Sequence, residues 1–167
     1  MFSKTQFQTL YAYHWHTNQT LLTCAARLTE ADYQAQPGYG HGSIHDLLFH
    51  TLNTLYGWRL ALEAGHQPPP LKATDFPDLQ TIQAGYKAEQ LGWKMLLDSL
   101  SGEMIEGSVT LTSLGGQRVN FPRWRVLQHL ILHGMQHHTE LAQLLTAKGQ
   151  SPGDIDFIFF DEPDQVT

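Results

Sequence analysis

The feature that most constrains the fold is the placement of helix-breaking residues, which leaves four long stretches of helical periodicity. Prolines 68–70 lack the backbone N–H that a helix interior needs. A stretch rich in turn-forming residues, 29–42, makes a second break, and residues 108–121 make a third. Between these breaks, apolar side chains recur every three or four positions. The chain is therefore predicted to be all-α.

Signals at the ends of these stretches place the helices more closely. Ser43 and Asp46 have the spacing of a capping box, so a helix is predicted to begin at Ser43 and to stop at Gly65. Pro122 suits the first turn of the last helix, and Gly149 suits its stop. The remaining two helices are predicted over residues 5–28 and 75–100.

The period of the pattern changes between the third and fourth helices. Residues 108–121 alternate apolar and polar side chains around Gly115 and Gly116, which predicts a small β-hairpin. Four long helices with antiparallel connections favour an up-down four-helix bundle, with the hairpin before the last long helix. No internal repeat or linker divides the chain, so a single domain is expected over residues 1–167.

Composition excludes several function classes. A hydrophobic content of 41% fits an ordinary globular protein, and a formal net charge of −6 argues against a nucleic-acid-binding surface. No segment approaches ~18 continuous apolar residues, so no membrane span is expected. The N-terminal residues do not resemble a signal peptide. The single cysteine, Cys24, cannot form an intramolecular disulfide and is expected to be a small core residue. A cytoplasmic location is therefore predicted.

Histidine is the unusual residue type, with ten in the chain, and a group of them lies in the fourth helix. On a helical wheel of roughly 100° per residue, His129, His133, His137 and Glu140 share the core-facing stripe. His138 turns away and is expected to be exposed or peripheral. Two histidines at i and i+4 can bind one metal ion. Spacing alone does not choose between the pair His129–His133 and the pair His133–His137.

A third candidate ligand, His50, lies on the inward face of the second helix. Metal sites in bundles are built from side chains on facing helices, so two ligands from one helix and one from another form a natural set. Three neutral imidazoles leave coordination positions for water or substrate, which is the pattern of a catalytic site. In the alternative interpretation, these histidines only satisfy one another in a polar core pocket.

Two segments are similar to a known family. "GSIHDLLFH" and "FPRWRVLQHLILHGMQHHTELAQLLTAKG" resemble the second and fourth helices of the DinB family of metal-binding four-helix bundles, which includes bacillithiol transferase-like and mycothiol-dependent enzymes. The resemblance covers nearly the whole chain. The first segment ends in a ligand histidine in that family, here His50. Counting back from Gly149 places the other two ligands on His133 and His137. The resemblance therefore implies a metal site of these three histidines.

The chain departs from the family pattern at the end of this site. The family commonly has glutamine where Glu140 stands, and an Arg-Gly pair where His138 and Thr139 stand. Glu140 is the candidate catalytic residue, because a carboxylate on the ligand face can support a ligand, orient water or act as a base. In the alternative interpretation, Glu140 is paired with an arginine or lysine.

The resemblance also implies what the site does. A divalent metal ion is expected, zinc or nickel with iron as a third candidate. The activity would be S-transfer from a small-molecule thiol to an electrophile, or hydrolysis; a non-catalytic metal-binding or stress-response module is the alternative. A homodimer is also expected, both from the family and from a second apolar row on the second helix at Leu48, Leu52 and Leu55.

The remaining histidines receive no firm role. His14 and His16 are expected at the surface, although one of them can line the pocket. His41 and His66 lie in loops, and His45 is expected to be exposed in the first turn of its helix.

Overall fold

The computed structural model of the protein describes residues 3–160. Three of its long helices begin at a residue whose side chain caps the helix. Ser3, Ser43 and Asp78 each accept a hydrogen bond from the backbone N–H three residues later. The elements are α1 (Lys4–Ala25), α2 (Glu30–Gln34), α3 (Ile44–Ala64), α4 (Leu79–Ser99), α5 (Gly102–Glu106), β1 (Ser108–Thr112), β2 (Arg118–Pro122) and α6 (Arg123–Ala147). Short 3₁₀ turns lie at Ala73–Asp75 and Phe157–Phe159.

Most predicted helix ends agree with the structure. The capping box at Ser43 is present, and Gly65 ends α3 with a φ of 77°, a left-handed conformation that favours glycine. Other boundaries differ by one to four residues. α1 ends at Ala25, three residues before the predicted end at residue 28. α4 begins at Leu79, because Asp78 supplies the cap and the residues before it form a separate 3₁₀ turn. Pro122 ends β2 opposite Ser108, so the last helix begins one residue later than predicted.

The four long helices form a bundle, and the predicted all-α class with a small hairpin before the last helix is confirmed. Around the bundle, α1 packs against α6, α6 against α3, α3 against α4, and α4 against α1. In the hairpin, Val109 pairs with Phe121 and Leu111 with Val119. Val109 and Leu111 bury their side chains against Ala61 of α3. The hairpin therefore covers the C-terminal end of α3.

The helices do not simply alternate in direction. Tyr86 of α4 donates a hydrogen bond to the carbonyl of Leu48, and Trp93, two turns later, donates to that of Leu55, so α3 and α4 are parallel. α1 and α6 are also parallel. Tyr11 donates to the carbonyl of Leu127, and Asn18, two turns later on α1, meets His138, three turns later on α6. The order of directions is up-down-down-up.

The connection between α3 and α4 explains this threading. Residues 65–78 contain prolines 68–70 and have no helix apart from the 3₁₀ turn at Ala73–Asp75, and the backbone N–H of Gln67 donates to the carbonyl of Thr112. Extended chain of this length reaches roughly 45 Å, whereas α4, with 21 residues, is about 31 Å long. The segment can therefore return along the whole bundle and start α4 in the direction of α3, which the expectation of antiparallel connections did not anticipate.

The apolar row that suggested a dimer surface lies in the core. Leu48, Leu52 and Leu55 are almost completely buried, because α3 contacts α4 on one side and α6 on the other. This row offers nothing to a second copy, and the homodimer stays a prediction. Cys24 is a buried core residue, as expected. Between residues 3 and 160, no helix combines the length and apolarity that crossing a membrane requires.

Candidate metal centre

The orientation of His137 is set by Glu140, one turn further along α6. His137 is 1% exposed, and its Nδ1 lies 2.8 Å from Oε2 of Glu140. Because a carboxylate only accepts hydrogen bonds, Nδ1 carries the proton and donates it, which leaves the lone pair on Nε2. The partner of Glu140 is thus a histidine rather than the arginine or lysine of the alternative interpretation. The pair presents His137 Nε2 as a ready metal ligand.

His133 lies next to this nitrogen. Its Nε2 is 3.1 Å from Nε2 of His137, so His133 donates this hydrogen bond and His137 accepts it. Burial, and then the neighbouring His137, lower the pKa of His133 to about 4. The imidazole is therefore neutral at physiological pH, the state that a metal ligand requires. Two nitrogens bound to one tetrahedral zinc ion stand about 3.3 Å apart, close to the separation seen here.

His50 reaches the same place from α3. Its ring centroid is 4.9 Å from that of His137 and 5.6 Å from that of His133. Its Nε2 is buried without a hydrogen-bond partner in the described part of the chain. Burial lowers the pKa of His50, so this ring is also neutral. A buried nitrogen with a free lone pair or an unmatched N–H is costly unless something binds it, and a metal ion fits that requirement.

The structure adds a histidine that sequence reasoning left in a loop without a role. Nitrogens of His41, His50 and His137 all lie within 4.8 Å of one another. The His41 ring stacks on that of His50, with centroids 4.4 Å apart and planes 18° apart. The sequence around His41 held a signal for its position, because Gly38, Gly40 and Gly42 precede a capped helix and indicate a tightly turned loop. All three glycines have positive φ.

The expected site residues are therefore only partly grouped as predicted. His50 and His137 belong to the mutually close set, His133 contacts His137, and Glu140 contacts His137 from the other side. His129 is exposed, with its ring 5.7 Å from His133 and 5.9 Å from Trp58. It stands at the end of the histidine row.

The expectation that His138 is exposed or peripheral is wrong. His138 is 1% exposed, its Nε2 lies 3.1 Å from Oδ1 of Asn18, and its ring stacks on His14 at 4.8 Å. His14 is buried too, so its expected surface position is also wrong. The physical reason is that α1 packs on this side of α6, while α3 packs on the side that carries His137.

Burial dominates the electrostatics of this second histidine pair. It lowers the pKa of His14 to about 4, and the neighbouring His133 adds to the effect. It lowers the pKa of His138 well below the ordinary value, with His14 as the next cause. Both rings are therefore neutral. Gly134 gives His14 its space, since a Cβ there would lie 2.6 Å from Nδ1 of His14.

His45 is also less exposed than expected. It is half-buried, and its Nε2 lies 2.8 Å from the carbonyl oxygen of Phe76, to which it donates a hydrogen bond. This contact ties the first turn of α3 to the segment that leads into α4. His45 thus has a structural partner away from the metal centre.

A cavity of about 390 Å³ opens beside Trp58, whose ring is 5.9 Å from that of the exposed His129, and none of the cavity's lining residues in the described part of the chain is a histidine. It lies between α3, the proline segment and the hairpin. Thr54, which donates a hydrogen bond to the carbonyl of His50, and Trp58, which touches His129, belong to its wall. Its other lining side chains include Leu111, Val119 and Phe121. The arrangement places a mostly apolar space along the α3 face that carries His50.

Comparisons with known proteins agree with this architecture. The model of the DinB family matches residues 1–166. A DinB-like protein from Bacillus subtilis is 17% identical with a TM-score of 0.61, and the match covers 86% of this chain and 94% of that one. YfiT from Bacillus subtilis, described as a probable metal-dependent hydrolase with an unusual four-helix bundle topology, is 15% identical with a TM-score of 0.63, covering 90% and 92%. A comparison with curated proteins finds no match.

Proposed function

We propose that this chain, which belongs to the DinB family, binds one divalent metal ion through His50, His133 and His137 and catalyses a hydrolysis that depends on it. The observation that carries the proposal is the convergence of the His133 and His137 imidazoles on the buried, unpartnered Nε2 of His50. A polar atom in this position needs a partner, and the neighbouring nitrogens are all suited to the same one.

The chemistry follows from an incomplete protein shell. His50, His133 and His137 would hold a divalent ion and leave a position for water, and such an ion would lower the pKa of that water toward ~7 and supply a nucleophile at neutral pH. Glu140 acts as a positioning residue, because its carboxylate holds the proton on Nδ1 of His137 and keeps Nε2 directed at the centre. The cavity beside Trp58 offers a place for the apolar part of a substrate.

The types of ligand atom in the site indicate which metal ions it can bind. Imidazole nitrogens suit zinc, nickel and iron, whereas magnesium and calcium prefer oxygen ligands. Zinc or nickel is our proposed ion, with iron as the third candidate. The description of YfiT as a probable metal-dependent hydrolase supports hydrolysis as the reaction class at this fold.

Transfer of a small-molecule thiol to an electrophile is the second candidate. The observation that favours it is the apolar lining of the cavity, with Leu111, Val119 and Phe121 facing a space beside Trp58. Such a wall suits an apolar electrophile that contributes few hydrogen bonds. In this version the metal site would hold a thiolate in place of water.

Metal stoichiometry tests the site first. The protein is stripped with a chelator, reloaded with Zn²⁺ or Ni²⁺, dialysed and analysed for bound metal. Wild type is expected to retain one ion per chain, and His50→Ala, His133→Ala and His137→Ala are expected to lose it. His129→Ala is the matched control, because His129 lies on the same helix at the exposed end of the row. Equal retention by wild type and His137→Ala would refute the site.

Turnover then separates the reaction classes. The loaded protein is assayed against esters and amides with apolar groups, and against apolar electrophiles with and without added thiols. Metal-dependent hydrolysis that His137→Ala abolishes supports the first candidate, and product formation that requires both thiol and metal supports the second. Stoichiometric metal without either activity would identify a non-catalytic metal-binding module.

A further inference from the structure

We propose that His41 is a fourth protein ligand, supplied by the loop before α3, so that the metal centre has four imidazoles of which one is replaceable. This inference rests on the proposed metal-binding function and adds a residue to it. His41 belongs to the set whose ligand nitrogens all lie within 4.8 Å of one another, together with His50 and His137.

Ring packing places His41 at the centre from the solvent side. Its centroid is 4.4 Å from that of His50 and 4.8 Å from that of His137, which are contacts with two rings from two different helices. His41 itself is exposed, whereas His137 is buried and His50 is half-buried. Fixing an exposed side chain in one position costs rotamer entropy, which its contacts must offset. Its position over both rings therefore needs a reason, and ligation supplies one.

The loop that carries His41 is held against the start of α3 by a single carboxylate. Oδ2 of Asp46 accepts hydrogen bonds from Nε2 of Gln36, at 2.8 Å, and from the backbone N–H of Ser43, at 3.0 Å. These two residues flank His41 on either side. The carboxylate thus closes the loop into a short arch over the first turns of the helix.

Gly42 makes the closure tight. Its φ of 99° favours glycine, and a Cβ at this position would lie 2.6 Å from Oδ2 of Asp46. Gly40, on the other side of His41, also has a positive φ, of 63°. The two glycines let the chain turn sharply on both sides of His41, so that its ring lies against His50 of α3 although the residue is exposed.

The positions and burial of the four histidine rings indicate which ligands are permanent and which one is replaceable. His50, His133 and His137 are fixed on long helices, so they remain in place whatever binds. His41 stands on a loop and faces solvent, so it is the ligand that water or substrate displaces. The resting centre is thereby closed by protein, and access to the ion requires movement of the arch between Gln36 and Ser43.

Cobalt substitution tests this assignment without reference to activity. Co²⁺ is titrated into the metal-free protein, its visible absorption is recorded, and Zn²⁺ affinity is measured by competition with a chromogenic chelator. His41→Ala is expected to weaken Zn²⁺ binding by about tenfold or more and to change the Co²⁺ spectrum, since one nitrogen ligand is lost. His66→Ala is the matched control, because His66 is also exposed and in a loop.

Chemical rescue gives the second measurement. In His41→Gly, free imidazole is expected to restore the wild-type Co²⁺ spectrum in a saturable way, whereas it should not alter wild type or His66→Ala. A His41→Ala protein with wild-type affinity and spectrum would overturn the assignment of His41. If His50→Ala and His137→Ala still lose the ion in that case, the proposed function stands without it. Wild type that binds no stoichiometric ion would overturn both.

Discussion

The buried histidine pair between α1 and α6 makes the stability of the metal-free protein depend on pH. His14 is 3% exposed and its pKa is about 4 in the folded chain, whereas an unfolded histidine titrates near 6.5. Between these values the unfolded chain takes up a proton that the folded chain does not. Stability is therefore present above pH 6.5 and is lost as the pH falls toward 4. His138 contributes in the same direction.

The size of the effect follows from the separation of the two pKa values. Each unit corresponds to 1.36 kcal/mol, so His14 alone costs about 2 kcal/mol of stability by pH 5 and about 3 kcal/mol by pH 4. Glutamine has no titrating proton but keeps a polar side chain in the same pocket. His14→Gln is therefore expected to remove about 2 kcal/mol of the stability difference between pH 8 and pH 5.

Urea unfolding, followed by tryptophan fluorescence at pH 8, 7, 6 and 5 in the presence of a chelator, measures this difference. The chelator removes the separate pH dependence of metal binding. His16→Gln is the matched control, because His16 lies two residues away on the exposed side of α1. It should keep the wild-type slope. The reasoning is refuted if His14→Gln loses stability between pH 8 and pH 5 as steeply as wild type does.

Two further outcomes test the contacts around α6. Glu140→Ala is expected to weaken metal binding roughly 10–100-fold, because His137 loses the acceptor that fixes its proton. Glu140→Gln keeps an acceptor oxygen and should weaken binding less. Equal affinities of Glu140→Ala and wild type in chelator competition would contradict this prediction. Gly134→Ala is expected to cost about 1–3 kcal/mol in urea unfolding, because the added Cβ meets the His14 ring. That cost should shrink in a His14→Ala background, and a neutral Gly134→Ala would show that the ring can move aside.

Features governed by neighbouring residues could be predicted from the sequence. The capping box at Ser43, the stop at Gly65 and the hairpin around Gly115 and Gly116 each depend on residues a few positions apart, and each is present. The direction of α4 could not be predicted in this way. It depends on where a proline-rich connection ends, and local patterns do not determine that.

In the candidate site too, residues governed by local spacing could be predicted, and residues governed by longer-range contacts could not. Helical spacing and the family resemblance suggested His50 and His137, which the fold brings together. His41 escaped notice because it comes from a loop whose path depends on a contact between Gln36 and Asp46, ten residues apart. His138 was misplaced because a wheel with one interior face cannot describe a helix that packs against two neighbours.

The two neighbours of α6 explain how adjacent histidines acquire different environments. His137 faces α3, where it meets His50 and the loop that carries His41. His138 faces α1, where it meets Asn18 and the neutral ring of His14. Because both rings stand on one turn of one helix, however, any shift of that turn that tightens the metal centre must also be accommodated by the pair with His14. Changes at His14 should therefore alter metal affinity as well as stability, although His14 is not among the proposed ligands.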